Sequence, residues 1–312
     1  MKAWQYLADG KPLTLNEVDE PTAGPGDVLI DVRATGICHT DIGFLDGTIS
    51  SQLTFSPITL GHEIAGVVVG VGADVHGLNE GDRVAVLARP EGPGTARNGG
   101  FQRLVAAQAE LVVPLPDGVS WDQAAVSTDA GATSYHAIVV RGRLQPGERM
   151  CVIGMGGLGS LGVQMAVGMD AEVYVVDSNP DVFDYARELG VRDVARDVSE
   201  LRDLDLDLIC DFAGTGTTTA GAIETVRRAG RVVLVGLGSR HGTINLFAVT
   251  LRELELLGSL GGTTEDNAKV LALMSAGRLS ARTAPVGFAD VGDAVSQLAR
   301  GQVTGRLVVV YD

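Results

Sequence analysis

An apolar run, Met150–Ile153, leads directly into Gly154-Met155-Gly156-Gly157-Leu158-Gly159 and then into a helical pattern. The G-x-G-x-x-G spacing is informative because it lies between a strand and a helix start. Gly154 permits a tight turn, Gly156 lets backbone approach a pyrophosphate, and Gly159 allows the helix to pack closely on the strand. The helix opening at Gly157 and Leu158 offers oriented N–H groups to an anion. A second apolar run, Ala171–Val176, ends in Asp177, 23 positions after Gly154, where a carboxylate can bond an adenosine ribose. The same charge repels a 2′-phosphate and no Arg occupies residues 178–183, so NAD is favoured over NADP.

From Trp121 onward strand and helix alternate, the grammar of a parallel sheet covered on both faces. The reading is helix Gly157–Met169, a helix capped by Ser178 or Asn179 with Pro180 at its first position and Gly190 past its end, strand Leu206–Phe212, helix Thr217–Arg228 and strand Arg231–Gly236. Residues 1 to about 120 instead hold short β-rich runs, Asp27–Ala34, Ile64–Val71, Arg83–Ala88 and Phe101–Ala106, separated by Gly, Pro and Asp turns. The tail reads as helix Glu265–Ala276, an apolar turn Ala284–Phe288, helix Asp290–Ala299 and strand Arg306–Tyr311, and is expected to rejoin the β-rich domain because the parallel sheet already has its strands.

The 312-residue length favours two domains, and no apolar run reaches the roughly 18 residues a spanning helix needs. The N-terminus lacks a basic-then-apolar leader, so no membrane partner and a cytoplasmic location are expected. A net charge of −15 without a Lys/Arg run argues against nucleic acid, whose affinity rests on phosphate neutralisation. Three scattered cysteines cannot form a disulfide framework.

Cys38-His39-Thr40-Asp41, Gly61-His62-Glu63 and Asp129 hold zinc-binding residue types. A catalytic zinc takes about three protein ligands and keeps one position open, and Cys38, His62 and Asp129 would supply a thiolate, an imidazole and a carboxylate. Cys151 and Cys210 sit in apolar strands and read as core; His76 and His241 read as loop residues, His136 as a helix residue.

With GICHTD (36–41), GHEIAG (61–66), GDRV (81–84), GMGGLG (154–159) and GRLVVV near the end, the chain resembles the zinc-containing medium-chain dehydrogenase/reductase family, alcohol dehydrogenase group, over its whole length. The resemblance implies an α/β protein: a GroES-like β-barrel catalytic domain over residues 1–128 and 265–312, and a Rossmann doubly wound parallel sheet over residues 129–264 that binds NAD. It makes Cys38, His62 and Asp129 ligands of one catalytic zinc, with Glu63 behind the metal as a transient ligand. Thr40 corresponds to the hydroxyl that touches the substrate oxygen, and Asp41 to the carboxylate that orients the zinc-bound imidazole. His39 and Arg306 correspond to residues near the pyrophosphate, and Thr133 to one packing on the nicotinamide.

The implied activity is oxidation of a small alcohol to an aldehyde or ketone and the reverse reduction, in a homo-oligomer, a dimer or tetramer. The sequence departs from the family twice. Residues 85–100 lack the four cysteines of the structural zinc lobe, so no second zinc is expected. Gly43 stands where many relatives have a proton-relaying histidine. A metal-free quinone or enoyl reductase on the same fold is the alternative, although it has no use for Cys38, His62 and Glu63 together. Ile42, Phe44, Leu45, Ile49, Phe55 and Leu260 are candidate pocket walls and point to a hydrophobic or cyclic alcohol.

Overall fold

A computed structural model of the chain describes residues 1–8 and 10–311. It divides into two compact units, Met1–Ala132 with Gly262–Asp312, and Thr133–Gly261. The divisions fall after residues 132 and 261 rather than after 128 and 264, so Asp129 belongs to the first unit.

The first unit is built on the strand Asp27–Ile37, which pairs antiparallel with Glu63–Val71, Leu104–Gln108 and Arg306–Val310. Alternation decides its register: Val28, Ile30, Val32 and Ala34 are fully buried while Asp31 and Arg33 point outward and pair with each other at 2.8 Å. Burying a Val or Ile side chain contributes about 1.5–3 kcal/mol, so a one-residue slip would forfeit several such terms. Register shifts at Leu29/Ile30 and Val32/Ala34 mark bulges, which strengthen local twist and bend the sheet. Arg83–Val86 and Val112–Pro114 extend this sheet on one side and Thr283–Gly287 closes the other. A smaller sheet orders Thr14–Glu17, Lys2–Tyr6 and Ile58–Thr59. At its far end Asp27–Ile37 is buried on both faces, and there it delivers Gly36, Ile37 and then Cys38.

Ala284–Phe288, read from sequence as an apolar turn, falls largely in a strand, Thr283–Gly287; it lies parallel to Arg306–Val310, and the helix Val291–Ala299 connects the two. Pro285 and a short run of five residues hid it, since proline demotes a strand and length alone does not distinguish a strand from a turn.

The second unit is a parallel sheet ordered Asp193–Ala195, Glu172–Val176, Arg149–Ile153, Leu208–Asp211, Arg231–Leu234, Glu255–Gly258. Its central strands are buried on both faces, as the uninterrupted apolar runs required. The order reverses between Arg149–Ile153 and Leu208–Asp211, and ligands of such sheets bind in the crevice at that point. Two edge strands were not anticipated: Asp193–Ala195 has only three residues, and Glu255–Gly258 is largely exposed and carries no buried pattern. Asn179 caps the turn Pro180–Val182 by accepting from Asp181 N–H, and Gly190 ends the following helix with φ +91°. The helix Thr217–Thr225 stops three residues earlier than expected.

Gly154 has φ +94°, and a Cβ on Gly159 would stand 1.8 Å from Gly154 O. The helix therefore seats on the loop only through glycine. Gly159→Ala is expected to lower unfolding stability by about 1–3 kcal/mol and to weaken dinucleotide binding, measured by denaturant titration with and without NADH. Unchanged values in both would refute the close-packing role.

Candidate metal centre and cofactor loop

Cys38 ends the long strand and precedes the helix His39–Leu45, whose third residue is Asp41. Asp41 Oδ2 accepts the Cys38 backbone N–H at 3.0 Å, and its Oδ1 lies 3.5 Å from His62 Nδ1. One fully buried carboxylate thus holds the loop that presents the thiol and the imidazole that faces it. His62 and Glu63 come from the start of the paired strand, immediately after Gly61, which has φ +88° and lies under the ring of Phe101. Asp129 comes from a third direction, a widened π-helical turn Ser127–Gly131 following the helix Trp121–Val126. Such turns re-aim side chains within a helix and recur at functional sites.

These elements bring four donors together. Ligand atoms of Cys38, His62, Glu63 and Asp129 all lie within 4.8 Å of one another. Cys38 Sγ is 3.3 Å from Asp129 Oδ2, and His62 Nε2 is 3.7 Å from the same oxygen. Zinc bonds of about 2.0–2.3 Å set donor–donor edges of about 3.3–3.8 Å in a tetrahedron, so the thiol, imidazole and carboxylate fit one ion. Asp41 on Nδ1 leaves Nε2 for the metal. Thr40 Oγ1 lies 3.6 Å from Cys38 Sγ, beside the donors.

The site is strongly charged and nearly dry. Burial would depress the His62 pKa, but Asp41, then Asp129, lifts it well above the ordinary value. For Glu63, burial pushes the carboxyl up to about 8 despite the opposing charge of Arg306. Asp129 moves the other way: burial opposes ionisation, but the hydrogen bond and charge of His62 hold it well below the usual carboxylate range. Glu63 lies over Gly36, where a Cβ would come within 1.8 Å of its Oε2.

Arg306, expected near a pyrophosphate, is 4% exposed; its Nη2 lies 3.2 Å from Glu63 Oε1 and its Nη1 donates to Ile37 O at 3.2 Å. Its position near the end of the chain points to the strand but not to this pairing. His39 is exposed in the first helical turn. Among the candidate pocket walls, Phe44 is fully buried in the core of the first unit; it is a packing residue, and that reading is corrected. Ile42, Leu45 and Ile49 pack partly buried against that core, while Phe55 and Leu260 are exposed. A Cβ on Gly43 would meet Ile49 Cγ1 at 2.9 Å, so an apolar chain covers this position.

In the second unit, Gly156 caps the helix Gly157–Gly168 and faces open space on its Cβ side. Asp177 closes the adjacent strand and accepts from Met155 N–H at 2.7 Å and Asn179 N–H at 2.8 Å, placing a carboxylate against the glycine loop. Thr133 is buried in the helix Ala132–Tyr135.

The description "Alcohol dehydrogenase GroES-like domain" matches residues 24–117, and "Zinc-binding dehydrogenase" matches residues 157–276. An alcohol dehydrogenase of Geobacillus stearothermophilus is 30% identical over 344 residues, covering all of both chains. The chain belongs to the zinc-type medium-chain alcohol dehydrogenase family. An NAD-dependent alcohol dehydrogenase of Sulfolobus acidocaldarius is 29% identical over 99% of each chain. Among solved structures, an acetophenone reductase of Geotrichum candidum in complex with NAD superposes with a TM-score of 0.91 at 31% identity, over 99% of this chain and 97% of the other.

Asp41→Ala should weaken zinc about 10–100-fold, read by competition with a chromogenic chelator, because the imidazole loses its orienting partner. Equal affinity in variant and parent would assign Asp41 to packing alone.

Proposed function

We propose that the chain catalyses NAD-dependent oxidation of a small alcohol to an aldehyde or ketone, and the reverse, at the Cys38, His62 and Asp129 cluster. The observation that carries this reading is the 3.3 and 3.7 Å spacing of thiol, carboxylate and imidazole beside Thr40. Bound there, zinc supplies Lewis acidity toward the substrate oxygen, and NAD supplies the hydride acceptor. Thr40 receives the hydroxyl proton at Oγ1 and passes it on through water or a ribose hydroxyl, since the Gly43 position offers no imidazole. Asp41 keeps His62 in the tautomer with Nε2 facing the cluster. Glu63, braced by Arg306, stands behind the other three as the exchangeable fourth donor. Asp177 selects NAD through its ribose, Gly154, Gly156 and Gly159 with the helix start at Gly157 and Leu158 hold the pyrophosphate, and Thr133 lies against the nicotinamide. His39 serves the pyrophosphate end.

The apolar character of Ile42, Leu45, Ile49 and Phe55 favours a hydrophobic or cyclic alcohol over a sugar. Among the described residues no helix is long and apolar enough to cross a membrane, and a cytoplasmic setting suits three free cysteines. The donor cluster weighs against a metal-free quinone or enoyl reductase.

Freshly purified protein should hold about one zinc per chain and reduce NAD, not NADP, with alcohols. His62→Ala should lose the zinc and the activity, and Thr40→Ala should keep the zinc and lower kcat about 10²–10⁴-fold. Undiminished turnover in His62→Ala would end this reading.

The expected homo-oligomer follows from an edge. Glu255–Gly258 terminates the parallel sheet, and Leu246, Phe247, Leu251, Leu256 and Leu260 are exposed around it in sequence. An open strand edge beside apolar surface pairs with its own copy about a two-fold axis. Light scattering should find a dimer or multiple of it, and Leu256→Lys with Leu260→Lys should shift it toward monomer; a monomeric parent would refute the assignment.

A further inference from the structure

Asp211 ends the strand Leu208–Asp211 on the far side of the sheet reversal from the glycine loop, paired in register with Ile153. It is fully buried, and its four side-chain hydrogen bonds all come from neutral donors. Oδ1 accepts the backbone N–H groups of Ala213 at 3.1 Å and Gly214 at 2.8 Å. Oδ2 accepts the hydroxyls of Thr218 at 2.8 Å and Thr219 at 2.7 Å. Its backbone carbonyl also takes Val235 and Gly236 N–H, both at 3.0 Å. A buried charge costs several kcal/mol unless donors compensate it; here two come from the loop Phe212–Gly216 and two from the helix Thr217–Thr225 that follows it, while the loop after Arg231–Leu234 holds the backbone carbonyl.

Those loops are fitted together closely. Gly238 N–H donates to Ala213 O at 3.2 Å and Ser239 N–H to Gly214 O at 2.9 Å. A Cβ on Gly214 would fall 1.9 Å from Gly236 O, and one on Gly236 would fall 2.4 Å from the Ala213 carbonyl carbon. The first loop in turn reaches the cofactor loop: the nearest atom to a Cβ on Gly154 is Ala213 N, at 3.4 Å. The glycine loop follows the first strand of the half before the reversal, and Asp211 closes the first strand of the half after it. In a sheet wound in two mononucleotide-binding halves, the half after the reversal takes the second nucleotide.

We propose that Asp211 is a positioning residue for the nicotinamide half of NAD, acting through the loop Phe212–Gly216 that it pins against Gly154. This rests on the NAD reading above. Asp211 touches no reacting atom; it fixes the backbone that forms the wall of the second nucleotide subsite. The adenosine and pyrophosphate end, held by Asp177 and residues 154–159, is independent of it.

The test compares NADH with ADP, which carries adenosine and pyrophosphate alone, by titration of the zinc-loaded enzyme. Asp211→Ala should raise the Kd for NADH at least about tenfold, the loss of roughly one charge-assisted hydrogen bond, while the Kd for ADP stays within about twofold. Should Asp211→Ala not fold, Thr218→Val with Thr219→Val removes two of the four bonds, and the same split should appear at about three- to tenfold. Asp211→Asn, which keeps an acceptor for the two backbone N–H groups, should recover most NADH affinity. A folded variant with unaltered NADH affinity, or with ADP weakened in parallel, overturns the proposal. Failure of the parent enzyme to bind NADH would instead overturn the NAD reading itself.

Discussion

A carboxylate removed from water must be met by donors, and the two units each place such a group where the chain needs to be held. Asp41 is met by the Cys38 backbone N–H and by His62, segments separated by the helix His39–Leu45, a loop and the strand Ile58–Thr59. Those two contacts give the thiol and the imidazole a common frame. The buried strand end that delivers Gly36 to Cys38 and the turn at Gly61 are the conditions under which that frame exists. In the second unit the fully buried carboxylate is Asp211, met by Ala213 and Gly214 N–H, while the half-buried Asp177 fastens Met155 N–H at the crest of the glycine loop.

Legibility in the sequence followed the physical reach of each interaction. The glycine loop was readable because its parts are local: a turn, a helix start and a close approach lie within six residues, and the structure gives Gly154 and Gly159 a steric reason. The doubly wound sheet was readable because strands buried on both faces leave uninterrupted apolar runs. Segments without such a signature were not: Asp193–Ala195 is too short, Glu255–Gly258 is exposed, and Thr283–Gly287 contains a proline. Asp129 required the family resemblance, since an isolated Asp in a helical stretch has no local mark, and its π-helical turn is invisible to a 3.6-residue pattern.

The contact of Arg306 with Glu63 shows the limit from the other side. The two residues stand 243 positions apart, and the strand pairing of Leu307 with Ile37 and of Gly36 with Glu63 is what brings them together. No periodicity carries information about that. Gly36 is the one local trace: its missing Cβ makes room for the Glu63 carboxyl, and a sequence reader sees only a glycine in a strand, which ordinarily weakens it.

The charge balance of the cluster supplies a physical reason for a cation. Asp41, Glu63 and Asp129 are acids, Cys38 is a potential thiolate, and the fixed opposing charge nearby is the single guanidinium of Arg306. Burial drives Glu63 toward the protonated state, and against its own burial His62 is drawn toward protonation by Asp41 and Asp129. Replacing that proton with a divalent ion satisfies the same acids while freeing Nε2 to act as a ligand, which accounts for why so many acidic groups are held this close in a water-poor interior.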